Sequence, residues 1–414
     1  GRGRWGVNGG GPLVPAQGIM WTDDYLSPPG PEAFGAYLPR DPPRSILIVM
    51  LSAIGDAVQV LPVVTALKRA FPSASITWVI QPLPFSLVTG HRSVDRFVLF
   101  RRGNRRRNPH SLWTGVRGIR DTAREISRVA RSQPGGRFDL IVDLQVYLKA
   151  GLLTALSPGK VKLGFDRRRT RDLNAFLTTH RIPPNPRVHA HTQDQYFEFL
   201  RALGVDPEPV AYGLRLTPPE RSDQEAFLQP FHRPLCSVVV GTSTSRKDWS
   251  AEGYASVLDA LYHDFRLQPI LVGGPSPREA LMASAIGSLT RAPVPNELGD
   301  GLRRMLWILD ASTLVISPDT GPLHMAQALG VPVVGLYGFT NPKRSGPYRR
   351  YRDLVVDGYA RYPGEEYRVG METRRGGMGR IRPEMVLEKV ELALQKYRRD
   401  EPPGLRLEMT GGLS

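Results

Sequence analysis

The feature that most limits what this chain can become is the continuous apolar run Ile46-Leu47-Ile48-Val49-Met50-Leu51, followed a few residues later by a helical pattern. An apolar run without alternation suits a strand covered on both faces, the kind found in parallel sheets wrapped by helices. The same unit recurs. Apolar runs at residues 76–80, 96–100, 140–144 and 161–165 predict further strands. Helical patterning falls at 57–70, 116–131, 145–155 and 191–203, the last closed by Gly204, which reaches the left-handed C-cap conformation without steric conflict. Pro207, Pro209, Pro218 and Pro219 then interrupt the chain. A second series follows, with strands at 237–240, 269–272, 313–317 and 333–337 and helices at 251–262, 277–286, 321–329 and 383–397. Repeated βα units on both sides of a proline-rich joint predict an α/β protein of two doubly wound domains. The expected limits are a flexible Gly/Pro-rich arm at 1–43, domains at 44–212 and 213–397, and a tail at 398–414. Ligands of such sheets bind beyond the carboxyl ends of the strands, so the strand-to-helix loops are where chemistry is expected.

Charge narrows the partners without choosing one. Lys and Arg number 55 against 39 Asp and Glu, a net +16, which favours polyanions: nucleic acid, anionic membrane or phosphorylated substrates. The single cysteine, Cys236, excludes an internal disulfide framework and Cys-based zinc fingers, and its strand position predicts a core residue. No apolar stretch reaches the ~18 to 20 residues needed to span a bilayer, and residues 1–11 lack the apolar core of a signal peptide. A soluble, cytoplasmic protein is expected.

Three loops carry candidate chemistry. In Ser52-Ala53-Ile54-Gly55-Asp56, Gly55 permits close backbone approach and Asp56 stands at a helix start, where it can cap the helix or act as a general base. The loop has no G-x-G-x-x-G spacing and is not a dinucleotide fingerprint. In the second, Gly241-Thr242-Ser243-Thr244-Ser245-Arg246-Lys247-Asp248-Trp249 combines four hydroxyls with two cations ahead of a helix. That combination suits a diphosphate, although a solvated hydrophilic loop reads equally well. The third, Pro318-Asp319-Thr320-Gly321-Pro322-Leu323-His324, joins two N-cap residue types to a glycine and a first-turn histidine. A cap explains Asp319 or Thr320 singly; the whole string points to ligand binding.

In order along the chain, these motifs resemble the ADP-heptose:lipopolysaccharide heptosyltransferases, glycosyltransferase family 9. The resemblance runs through Ile46-Leu47-Ile48 with Ile54-Gly55-Asp56 and Leu61-Pro62, then Asp139-Leu140-Ile141-Val142-Asp143-Leu144-Gln145 and Gly164-Phe165-Asp166-Arg167. It continues with Lys247-x-Trp249, Gly273-Gly274, the Asp319 to His324 string, and Leu336-Tyr337-Gly338 with Thr340 and Pro342, covering about residues 44–397. It implies a GT-B fold, two Rossmann-like domains facing an interdomain cleft. It also implies an inverting, metal-independent transfer of heptose from an ADP-heptose donor to a lipopolysaccharide inner-core acceptor, with no resident cofactor. Another nucleotide sugar or surface-polysaccharide acceptor stays open, because the shared motifs identify the reaction better than the sugar. By the same resemblance, Asp56 would be the base and Lys247, with Thr242 and Ser243, would neutralise the leaving diphosphate. Asp319, Thr320, Gly321 and His324 would hold donor phosphate and sugar, and Glu279 would reach the nucleoside.

On the acceptor side, Lys149 and Arg171 resemble family segments and would meet carboxylates or phosphates of an anionic glycolipid; a solvated helix face is the alternative for both. His191 matches a family position where a cap serves equally well. The densest basic runs, Arg101-Arg102 with Arg105-Arg106-Arg107 and Arg167-Arg168-Arg169 with Arg171, read either as solvated loops or as docking sites for the acceptor or for anionic membrane, on the cytoplasmic face of the inner membrane. A nucleic-acid partner is not expected, since the basic runs lack interleaved aromatics or a helix-turn-helix.

Overall fold

The structure, a computed structural model, describes residues 41–101, 112–171, 173–183, 185, 189–299 and 301–397. The arm up to residue 40, the tail 398–414 and Arg102 to Arg107 lie outside them. The first half runs β1 (Ser45–Val49), α1 (Ile54–Ala70), β2 (Ser75–Ile80), α2 (Pro82–Val88), β3 (Arg96–Leu99), α3 (Leu112–Arg131), β4 (Phe138–Asp143), α4 (Leu148–Leu156), β5 (Gly159–Gly164), β6 (His180–Arg181) and α5 (Thr192–Ala202). The second runs α6 (Pro218–Leu228), β7 (Leu235–Val239), α7 (Ala251–His263), β8 (Gln268–Val272), α8 (Pro277–Leu289), α9 (Leu302–Ala311), β9 (Leu314–Pro318), α10 (Gly321–Ala328), β10 (Val333–Tyr337), α11 (Pro342–Ser345), β11 (Val355–Asp357) and α12 (Pro383–Lys396).

The strands form two separate, wholly parallel sheets ordered β3-β2-β1-β4-β5-β6 and β11-β10-β9-β7-β8. Every residue of β1 and β7 is buried, as their unbroken apolar character requires once helices cover both faces. In each sheet the strand order reverses about a central strand, so the loops after β1 and β4, and after β7 and β9, open at a switch point.

The two halves meet loop against loop. The start of α1 packs on the start of α10, and small residues make the approach feasible. A Cβ on Gly321 would stand 2.9 Å from Ile54 Cγ2, and one on Gly55 would stand 2.9 Å from His324 Cδ2. The connection is also tied: the Arg69 guanidinium donates to the carbonyls of Asp206, Glu208 and Pro209 at 2.8–3.2 Å.

Several elements depart from the sequence pattern. The helix expected over 145–155 spans Leu148–Leu156, because Gln145 is used to brace the neighbouring loop. The prolines 218 and 219 start a helix: Thr217 caps α6 reciprocally with Glu220, and a proline in the first turn has no N–H to waste. α2 likewise opens on Pro82. The arginine-rich stretch 360–380 contains no strand and only a 3₁₀ turn, Met378–Arg380. Its order comes from Arg374, whose guanidinium lies over the Tyr359 and Tyr367 rings at 4.2 and 5.3 Å and pairs with Glu365 at 2.7 Å.

Candidate active site at the seam of the two sheets

Asp56 occupies the third position of α1. Its Oδ2 accepts the Ala53 N–H at 3.0 Å, which is half of a capping box, since Ala53 has no side-chain acceptor to return the bond. Its Oδ1 accepts from the Tyr196 hydroxyl of α5 at 3.3 Å. Burial and the adjacent Asp56 carboxylate hold the Tyr196 phenol protonated far above its ordinary range. The loop before Asp56 is braced by Gln145 at the end of β4, whose amide accepts from Leu51 N–H (3.1 Å) and donates to Ser52 O (2.6 Å). Asp56 therefore caps its helix and keeps its carboxylate at the seam.

Across the seam, Lys247 extends from the loop after β7 to Asp319 at the end of β9. Its ammonium donates to Asp319 Oδ2 at 2.8 Å and to Asp319 O at 3.1 Å. Asp319 also accepts from Thr340 Oγ1 at 2.6 Å and from the Tyr337 hydroxyl at 3.5 Å. Burial alone would raise this carboxyl, but Lys247, His324 and the hydroxyl donors outweigh it and leave the group below the ordinary carboxylate range. His324, buried on the first turn of α10, receives the Gln59 amide at Nδ1 (3.4 Å), which places the ring proton on Nε2. Burial lowers its pKa, opposed by the Asp319 and Asp56 carboxylates, so the imidazole is neutral at pH 7. Both carboxylates act on this one imidazole, and Gly55, beside Asp56, lies against the same ring.

The remaining predicted residues divide. Thr320 is the N-cap of α10 with no side-chain bond to the helix, and Gly321 is held at the interhelix contact. The Thr242 hydroxyl is engaged inside its own loop, with Asp248 Oδ1 and Thr244 O both at 2.6 Å, while Ser243 is exposed. Glu279 is the reciprocal cap of α8, accepting from Gly274 N–H at 2.8 Å and Ser276 Oγ at 2.5 Å. It also lies against Gly241, where any Cβ would collide with its carboxylate, so the structure brings Glu279 to the β7 loop. Lys149 Nζ lies 5.5 Å from the Phe100 ring, while Arg171 lies over Tyr147 at 5.8 Å and reaches the other half, its guanidinium 3.9 Å from Met371 Sδ.

His191 is the N-cap of α5, accepting from Gln193 N–H at 3.1 Å and donating from Nε2 to Gly346 O at 2.8 Å; burial lowers its pKa to about 4. It thus caps and also ties the halves together. The arginine run needs a correction. Arg169 is neither solvated nor available for docking, because its buried guanidinium bonds Asp166 at 2.6 Å and Glu198 at 2.7 Å; only Arg167, Arg168 and Arg171 are exposed. Cys236 is fully buried, which pushes its thiol pKa upward, as expected of a core residue. Sequence reasoning missed Tyr196 and Gln59: both sit at positions that a helical pattern reads as core, and nothing local distinguishes a buried tyrosine that packs from one that also donates to a catalytic-type carboxylate.

Two parallel Rossmann-like sheets whose switch-point loops meet at a polar seam make up the GT-B architecture. The family model described as glycosyltransferase family 9 (heptosyltransferase) matches residues 126–368, more than half of the chain, so this protein belongs to that family and is a glycosyltransferase. The chain is 27% identical over 316 residues to the lipopolysaccharide core heptosyltransferase OpsX of Haemophilus influenzae, covering 76% of this chain and 84% of that protein. It is 27% identical over 307 residues to lipopolysaccharide heptosyltransferase 1 of Pseudomonas aeruginosa, with 74% and 81% covered. In fold it is similar to E. coli heptosyltransferase WaaC, solved with ADP (TM-score 0.64, 21% identity, 84% of this chain and 99% of that one). It is likewise similar to a family 9 glycosyltransferase of Veillonella parvula (TM-score 0.69, 21% identity, 85% and 97% covered). Among the described residues no helix is long and apolar enough to cross a membrane.

Proposed function

We propose that this chain transfers heptose from ADP-heptose to a lipopolysaccharide inner-core acceptor, with inversion and without a metal. The names of its relatives support heptose as the sugar and lipopolysaccharide as the acceptor class, and the ADP-bound WaaC structure supports the nucleotide. The observation that carries the chemistry is the meeting of Asp56 with the Lys247–Asp319–His324 cluster across the seam. In this reading the sheet of β1 to β6 holds the acceptor and that of β7 to β11 the donor, the halves dividing near residues 212–213. Asp56 takes the proton of the acceptor hydroxyl, whose oxygen attacks the anomeric carbon as ADP leaves. An ammonium has three N–H groups, and Lys247 directs two at Asp319; the third, with the amides at the start of α10, meets the charge developing on the diphosphate. The neutral His324 offers Nε2–H to phosphate or sugar oxygen.

Asp56→Asn tests the assignment, because it keeps the shape and the N-cap acceptor and removes the base. General-base catalysis contributes roughly 10²–10⁴-fold, so turnover should fall by about that factor while ADP binding, measured by calorimetry, stays within about twofold. Transfer at the native rate would reduce Asp56 to a cap. Separately, a panel of nucleotide sugars ranked by thermal stabilisation identifies the donor, since a ligand at 100 times its Kd stabilises by about 2.7 kcal/mol.

A further inference from the structure

A groove of about 810 Å³ lies between α3 and α4 of the first half, and none of its lining residues belongs to the seam cluster. Its floor is apolar: Val116 and Ile119 from α3 face Leu152 and Leu156 from α4. Val116 and Leu156 are 56% and 55% exposed, which is unusual for large aliphatic side chains lying side by side. Along one edge of α3, at successive helical turns, stand Arg120, Arg124, Arg128 and Arg131. Asp121 lies 3.6 Å from Arg120 and Arg124 and, with Glu125, offsets part of this charge; the helix still carries five arginines against two acids.

The apolar floor does not end at the groove. Leu148, Leu152 and Leu156 are four residues apart and lie along one face of α4, leading from the groove to the strand-end side of the sheet. There the exposed Tyr147 and Leu148 adjoin the 3₁₀ turn Asn174–Phe176, for Asn174 Nδ2 donates to Tyr147 O at 3.1 Å. This turn displays Leu173, 67% exposed at a left-handed φ of 66° that a bulky side chain rarely adopts, and Phe176, 61% exposed. Arg167 lies over Phe176 at 5.0 Å and Arg171 over Tyr147 at 5.8 Å, so cations and apolar groups interleave here as they do on α3.

We infer that this face, the α3/α4 groove continued through the 173–176 turn, docks on the surface of an anionic phospholipid bilayer. Two properties choose that occupant. Exposed aliphatic and aromatic side chains enter the acyl boundary, and a flanking row of arginines meets anionic headgroups; neither property alone would select a lipid surface. The inference gives a place to contact with a membrane-anchored acceptor in the proposed reaction, but it depends on neither the donor nor the chemistry.

The test is sedimentation of the full chain with vesicles free of any glycolipid, so that a chain with a different sugar specificity would still score. Vesicles of equal parts phosphatidylglycerol and phosphatidylcholine should carry the protein down, whereas pure phosphatidylcholine vesicles should not. Arg124→Ala with Arg128→Ala should weaken binding by roughly 25-fold at low salt, about fivefold for each arginine at the surface. Val116→Asn with Leu156→Gln, which leaves the charge unchanged, should weaken it by about tenfold or more. Both double variants should keep the native thermal transition and ADP affinity, which separates loss of docking from loss of fold. Failure of the native chain to sediment, equal binding to neutral vesicles, or native-like binding by the Val116/Leu156 variant would overturn the inference.

Discussion

Lys247→Met isolates what holds Asp319. The side chains of the pair are only 18% and 10% exposed. Removing one partner of a buried pair costs about 3–5 kcal/mol, because the other charge remains behind. Here the Thr340 and Tyr337 hydroxyls still donate to the carboxylate, so the lower end applies: about 3 kcal/mol at neutral pH. At roughly 2–4 °C per kcal/mol for a domain of this size, the transition of the second half should fall by about 6–12 °C. The pH dependence supplies the sharper check. In the native protein the Asp319 carboxyl lies below its ordinary value, so its contribution is present above about pH 4 and is lost as pH falls through the depressed folded value. Without the lysine, burial dominates and the carboxyl moves above the ordinary value. The variant's deficit then belongs to the ionised form and shrinks as the group protonates. The stability gap should narrow steadily from neutral pH toward about pH 4 and below. Urea unfolding followed by tryptophan fluorescence, with Trp249 and Trp307 as reporters in this half, measures that gap. A gap equal at neutral and acid pH would refute the reasoning, since it would mean that Lys247 contributes packing and not charge.

Three other outcomes follow from the geometry. Arg169→Met should cost about 3–5 kcal/mol in thermal or urea unfolding, because it strands the carboxylates of Asp166 and Glu198. Tyr196→Phe should lower kcat about tenfold while leaving ADP affinity within about twofold, and should lower the melting temperature by about 3–6 °C, a long hydrogen bond to a carboxylate being near the weak end of charged bonds at about 1.5 kcal/mol. Gly321→Ala should slow transfer by pressing a methyl on Ile54, and Ile54→Ala added to it should restore part of the rate, giving a coupling of at least about 0.5 kcal/mol.

Much of this architecture is legible in the amino-acid order because parallel strands declare themselves. The run 46–51 suits a strand buried on both faces, and the loops after it, after β7 and after β9 carry the polar residues that a switch point needs. Proline misleads where its role depends on position: Pro218 and Pro219 read as interruption, yet at a helix start the missing N–H removes nothing. Gln145 looks like the first residue of a helix and instead bonds a loop 93 residues earlier, a partner no local pattern encodes. Tyr196 and Gln59 fail to stand out for the same reason. Their apolar bodies satisfy the helical period, and their polar ends find partners only when two distant segments meet.

The net charge of +16 is the last quantity to acquire a meaning, and it does so by subtraction. Arg169, Arg303 and Arg374 are matched to carboxylates inside the fold, and Lys247 is matched to Asp319. The three arginines are compensated within a few ångströms, and Lys247 is committed to Asp319 and the proposed donor site. The arginines along α3 and at 167, 168 and 171 differ in kind. They are exposed, they share one side of the first half, and they border large apolar side chains that are also exposed. A solvated surface needs the charge but gains nothing from the apolar groups, and a protein core needs the reverse. A lipid–water boundary is the environment that satisfies both at once. This face therefore sets charge beside exposed apolar groups, and only the Val116/Leu156 substitution, which leaves every charge in place, can separate docking on a bilayer from simple attraction to any polyanion.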